Sequence, residues 1–219
     1  MDNSSLERAD LPYSRGVRWD RFFDDLEDQL ASEWEAERAA LDTEAERLRL
    51  SRVALTERLA LLAGGGDDAA APGTVFEFAD GTTLRAGVTG VGADWAALAP
   101  AEGRAGAVLV PLGAIVAIGM PHADLLRTAR PAPARPALAE RLTFGFVLRD
   151  LVRRRAGVAV HLSSGRSFTG TIDRAGVDHF DLALHDPGAA RRAEAVSGYR
   201  IVPFAAVAWI RADEAPALP

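Results

Sequence analysis

The sequence predicts an α+β chain: a long N-terminal α-helix, then two small antiparallel β-barrels in tandem with a connecting helix. Three observations carry this reading. Residues 17–63 hold neither proline nor glycine, and their apolar residues recur at steps of three and four. The stretch GRSFTGTIDRAGVDHFDL, from Gly165, has a diverged copy 84 residues earlier, GTTLRAGVTGVGADWAAL, from Gly81. Both copies alternate apolar and polar residues with the period of two that half-buried strands require.

Residues 1–16, polar and containing Pro12 and Gly16, read as a disordered tail. The helix predicted over 17–63 presents Trp19, Phe23, Leu26, Leu30, Trp34, Leu41, Ala45, Leu48, Leu55, Leu59 and Leu62 on one face, with Glu37 and Arg52 interrupting it. Its first turns are acidic, which suits the positive end of a helix dipole. The early spacing follows eleven residues rather than seven, so a regular left-handed zipper is disfavoured. The stripe Trp19, Phe22, Phe23, Leu26, Leu30 and Trp34 is the candidate protein-docking face. Its covering is a partner protein, a second copy of the chain, or the chain's own body.

GGGDDAAAPG, residues 64–73, breaks the helix. The first β unit is expected over 74–119, with Phe76 and Phe78, the Asp80-Gly81 turn, then Leu84, Ala86 and Val88. A Pro-rich linker over 120–136 leads to a helix from about 137 to 155, stopped by Gly157, and to a second β unit ending near 211; residues 212–219 read as a tail. In that unit Val158, Val160 and Leu162 alternate, Ser164-Gly165 turns, and Phe168, Gly170 and Ile172 alternate again. Each unit places a glycine two residues before an aspartate (Gly92 and Asp94; Gly176 and Asp178). Each then closes on a Val-Pro dipeptide, Val110-Pro111 or Val202-Pro203, where proline must mark an edge or a break between strands.

These residues resemble a family. VAVHLSSGRSFTGTID after a helix, then DHFDLAL, then RIVPFAAVAWI, look like the Sm-like fold, including its bacterial Hfq branch, over about residues 137–211 and more weakly over 74–119. Other SH3-like barrels share the pattern. The resemblance implies ring assembly and RNA binding, but the family's contact motifs are replaced. Asp178-His179-Phe180-Asp181 stands where an asparagine motif is expected, and Val202-Pro203-Phe204 where Arg-Gly or Tyr-Lys-His would lie. Of the family's base-stacking positions, His179 and Trp95 remain able to stack. Two units in one chain also suggest a fixed pseudo-dimer whose neighbouring edges cover each other, an arrangement that would stand in place of a ring.

The net charge of −6 is unevenly spread: residues 1–70 carry 17 acids against 9 arginines, residues 121–219 carry 10 against 14. Arg149, Arg153, Arg154, Arg155, Arg166 and Arg174, with His179, are the candidate nucleic-acid contacts; arginines ending a helix also simply complement its dipole. His179, flanked by carboxylates, could serve as a base or metal ligand with His161 and His185, or as part of a capped turn. No cysteine is present, which excludes disulfides and thiolate chemistry. No cofactor is expected, nor a phosphate loop or nucleophile elbow. The sequence therefore points to a cytoplasmic, non-enzymatic adaptor or regulator that binds proteins, homo-oligomerisation included, with RNA binding by the Arg-rich second unit as the alternative.

Overall fold

The computed structural model describes residues 16–63, 73–102, 106–131, 134, 136–188 and 192–213, with α1 side chains described from Phe22 onward. The expected tail at the N-terminus, the glycine-rich linker and residues 214–219 lie outside these. The chain divides after Arg52 into two compact units.

The first unit is helix α1, Gly16–Leu50. The helix expected to run to residue 63 stops here, and α2, Leu55–Ala63, begins after a four-residue break containing Arg52, one of the two interruptions in the apolar stripe. The break separates helices with different tasks. Leu59 and Leu62 of α2 are buried, whereas Phe22, Phe23, Leu26, Leu30, Trp34, Leu41 and Leu48 of α1 are exposed.

The second unit holds the strands, which form one ten-stranded antiparallel sheet rather than two closed barrels. The first half comprises β1 (Val75–Phe78), β2 (Thr83–Val91), β3 (Trp95–Pro100), β4 (Ala107–Pro111) and β5 (Ile115–Gly119). The second comprises β6 (Gly157–Leu162), β7 (Ser167–Ala175), β8 (His179–Leu184), β9 (Gly198–Pro203) and β10 (Val207–Ala212). The spatial order is β5-β1-β2-β3-β4-β10-β6-β7-β8-β9, so β4 pairs with β10 at the middle and β5 and β9 are left as edges. The connecting segment contains α3, His122–Thr128, inside the stretch expected to be a linker. The second helix is α4, Phe144–Arg154, shorter than expected. Arg155, not Gly157, supplies the left-handed residue that ends α4, with φ 50°.

The duplication is visible in backbone detail. The Asp80-Gly81 and Ser164-Gly165 turns both use a left-handed glycine, with φ of 84° and 80°. Strand irregularities fall between Val88 and Gly90 and, 84 residues later, between Ile172 and Arg174. Each Val-Pro dipeptide ends a strand and is followed by one 3-10 turn and a further strand, as proline's missing donor requires. The helices belong to the repeat as well. Helix α2 lies on β2 as α4 lies on β7, and Leu59 and Leu62 are buried like Leu148 and Leu151.

Two hydrophobic clusters fill the halves, and each borrows from the other. Trp95, Ala97 and Leu109 of the first half join the cluster formed by Phe144, Leu148, Val160, Ile172 and Phe180. Ala208 and Trp209 of the second half join the cluster around Phe76, Phe78, Leu98 and Val110. The pseudo-dimer is therefore one folded body, joined by a strand ladder and by exchanged core side chains.

Candidate docking surfaces

The arrangement of Asp94 and Trp95 follows from their place at the start of β3. The Asp94 carboxylate accepts from the Phe144 backbone N–H at 2.7 Å, satisfying an otherwise orphaned donor at the start of α4. The indole Nε1–H of buried Trp95 donates to the Leu142 carbonyl at 2.8 Å, and the Ala93 N–H donates to the same oxygen at 2.9 Å. Gly92 is needed beneath the indole, because a β-carbon there would lie 2.0 Å from Nε1. Trp95 is thus a core side chain closed to any base, which corrects the expectation that it could stack on RNA.

In the second half the same loop seats no helix among the described residues. The Gly176 N–H bonds to the His179 carbonyl as the Gly92 N–H bonds to the Trp95 carbonyl. The Phe204 N–H bonds to the Asp178 carbonyl as the Leu112 N–H bonds to that of Asp94. Asp178 and His179 are nevertheless exposed and meet each other, Oδ1 to Nδ1, at 2.8 Å. The hydrogen bond to the His179 ring holds the Asp178 carboxyl below its ordinary range.

His161 and His185 line one cavity, and His179 does not line it. His185 is buried, its ring nitrogens within hydrogen-bonding distance of the Thr171 hydroxyl and the Asp186 carbonyl. The His161 ring stacks on Trp209, centroids 3.5 Å apart, above a cavity of about 390 Å³ that His185 and Arg211 also line. No cluster of three metal-ligating side chains occurs among the described residues. Trp209 also donates its Nε1–H to Asp80 across the two halves, at 3.0 Å. Burial pushes the Asp80 carboxyl up, but hydrogen bonds from the Thr82 N–H, the Thr82 hydroxyl and Trp209 outweigh it, and its pKa lies below the ordinary value. Burial lowers the pKa of His161, Arg211 lowers it further, and Asp80 opposes both.

The arginines fall into several small groups that share members. Arg153 and Arg154 both pair with the largely buried Asp150, at 2.8 and 2.7 Å. Arg155 and Arg174 line one shallow hollow beside Asp173. Arg166 and Arg200 flank the Phe168 ring at 5.3 and 5.9 Å, and Arg149 is exposed on α4. Acids are interleaved throughout: Arg174 and Arg200 share a second hollow with Asp173 and Asp181.

Of the helix stripe, Phe22, Phe23, Leu26, Leu30 and Trp34 are exposed on α1, and Phe22 and Phe23 meet edge to face at 6.0 Å. The Trp19 side chain lies outside those described. No helix among the described residues is long and apolar enough to cross a membrane. No family model, curated protein or solved structure matches the chain.

Proposed function

We propose that the chain is a non-enzymatic adaptor or regulatory protein that docks another protein through α1, with the sheet unit as its rigid body. The observation that carries this reading is the run of exposed large apolar side chains from Phe22 to Trp34 on a single helix. Solvent-exposed aromatic residues on one stripe are the usual anchors of helix-in-groove recognition. Asp24, Asp25, Glu27, Asp28, Glu33, Glu35 and Glu37 surround the stripe with acid, so the partner fitted to it is a protein with an apolar groove and a basic rim.

RNA binding by the second half is the less favoured reading. Arg153 and Arg154 are engaged by Asp150, Trp95 is buried, and acids stand among the remaining arginines.

The test uses immobilised full-length chain beside a Leu26→Asp/Leu30→Asp variant. Retention of a protein by the wild type alone, reproduced with the purified partner, supports docking through α1. In parallel, mixed single-stranded RNA is titrated at low and near-physiological salt. Tight RNA binding that weakens steeply with salt and is lost in Arg166→Ala/Arg174→Ala overturns the adaptor reading.

A further inference from the structure

The repeat gives both halves the same strands, but the outward faces of those strands carry different side chains. On the second half this face holds a cavity of about 390 Å³, lined by Gly157 and Ala159 of β6, Trp209 and Arg211 of β10, and His185. Arg211 lies across from Ala159 in the ladder, and Trp209 across from His161. The first half has Gly119, Val75, Ala117 and Glu77 at the matching positions. The repeat alone therefore does not account for this cavity or for its polar lining.

Two opposite charges line the cavity. The Asp213 carboxylate stands over Gly157, where a β-carbon would lie 2.7 Å from Oδ2. In the first half the ring of Pro121 takes the same place, its Cγ 2.9 Å from a β-carbon built on Gly73. An apolar filler in one copy is an acid in the other. Arg211, two residues before Asp213, is partly buried, with its guanidinium carbon 5.9 Å from the centre of the Trp209 ring. Neither Arg211 nor Asp213 forms an ion pair among the described residues, and the His161 ring forms no hydrogen bond among them. His185, 7% exposed, is by contrast committed to the Thr171 hydroxyl and the Asp186 carbonyl, and so makes a fixed wall.

We propose that this cavity binds a free α-amino acid with an uncharged side chain. The ligand's carboxylate pairs with Arg211, whose planar fork of donors fits a carboxylate, and its ammonium pairs with Asp213. Residues two apart on one strand face stand about 7 Å apart at their α-carbons, a span that the two charges of an amino acid bridge with one contact at each end. Such a ligand satisfies both groups, whereas a simple acid or a simple amine satisfies one. Apart from the histidines, no other ionisable side chain among the described residues lines the cavity, so nothing there pairs with a charged ligand side chain. The volume lies within the range of small-molecule sites. No residue of α1 takes part, so the site stands or falls separately from docking through that helix.

The full-length chain is titrated calorimetrically with glycine, L-alanine, L-serine, L-valine, L-leucine and L-phenylalanine. Saturable binding of at least one, with Kd at or below about 1 mM, is expected. The tightest binder is then compared with the same molecule lacking its amino group, which should bind at least about tenfold more weakly. That comparison needs no variant. Arg211→Gln, checked for native circular dichroism, weakens both ligands at least about tenfold, whereas Asp213→Asn weakens only the amino acid. Ala159→Leu fills the floor and abolishes binding with both charges in place. Leu26→Asp/Leu30→Asp binds as the wild type does. The proposal is overturned if none of the six amino acids saturates the chain, or if the deaminated ligand binds as tightly. Binding that survives in both Arg211→Gln and Asp213→Asn overturns it as well.

Discussion

Replacing Asp94 and Asp178 by alanine, one at a time, exposes how differently the two copies of one loop are used. Asp94 satisfies the first backbone donor of α4 at 2.7 Å in a partly buried setting, and Thr143 caps the same helix separately through the Phe146 N–H. Loss of one such side-chain cap costs about 0.5–2 kcal/mol. The carboxylate also sits at the positive end of the helix dipole, a further contribution of about 0.3–1 kcal/mol. Asp94→Ala is therefore expected to destabilise the sheet unit by roughly 1–2.5 kcal/mol. A unit of this size loses about 2–4 °C in Tm for each kcal/mol. Asp178 is exposed and its carboxylate meets the neighbouring His179 ring, so Asp178→Ala should leave the unfolding midpoint close to that of wild type. Urea unfolding followed by tryptophan fluorescence reads both. Equal losses in the two variants, or a neutral Asp94→Ala, would refute the inference that the first loop is a structural clamp and the second a free one.

Further substitutions probe the same body. Trp95→Ala empties a fully buried site shared by the two halves and should cost about 3–5 kcal/mol in urea unfolding. Arg153→Ala/Arg154→Ala strips a largely buried Asp150 of both cations, and a loss of about 1–3 kcal/mol in the same assay is expected. Acid should loosen the contact between the halves. His161 has a lowered pKa, so the unfolded chain takes up protons first, and its contribution, present at neutral pH, declines as pH falls through the ordinary value of 6.5. Asp80, also lowered, keeps its contribution until pH falls below 3.8 and through its own folded value. A urea midpoint that falls between pH 7.5 and 5.5 in wild type, and less in His161→Phe, checks the first of these; a flat wild-type profile contradicts it.

The hairpins were legible because their signals are local. Ser164-Gly165 and Asp80-Gly81 sit between alternating runs, and both glycines take the left-handed conformation that such turns need. The two Val-Pro breaks were legible for the same reason. What escaped depends on distant residues. Trp95 looks like a loop aromatic until Leu142, 47 residues later, supplies a carbonyl for its indole. Leu55, Leu59 and Leu62 read as the end of one long stripe. Yet the spacing of four and three is repeated by Phe144, Leu148 and Leu151, also ahead of a hairpin, and that match could have marked a second helix repeated with its sheet. Closure into two separate barrels was the natural expectation for each half alone. The pairing of β4 with β10 joins them into one open sheet, because each half's edge is the other's nearest partner.

The exchanged core has a consequence for what a protease can do to this chain. Residues 131–136, between α3 and α4, read as the boundary of two modules, and a cut there severs the only covalent tie between the halves. Trp95, Leu109, Ala208 and Trp209 would still be lodged in the opposite half's core, and β4 would still be laddered to β10. The two fragments should migrate together until denatured, and a gene split at this position should give two polypeptides that need each other to fold.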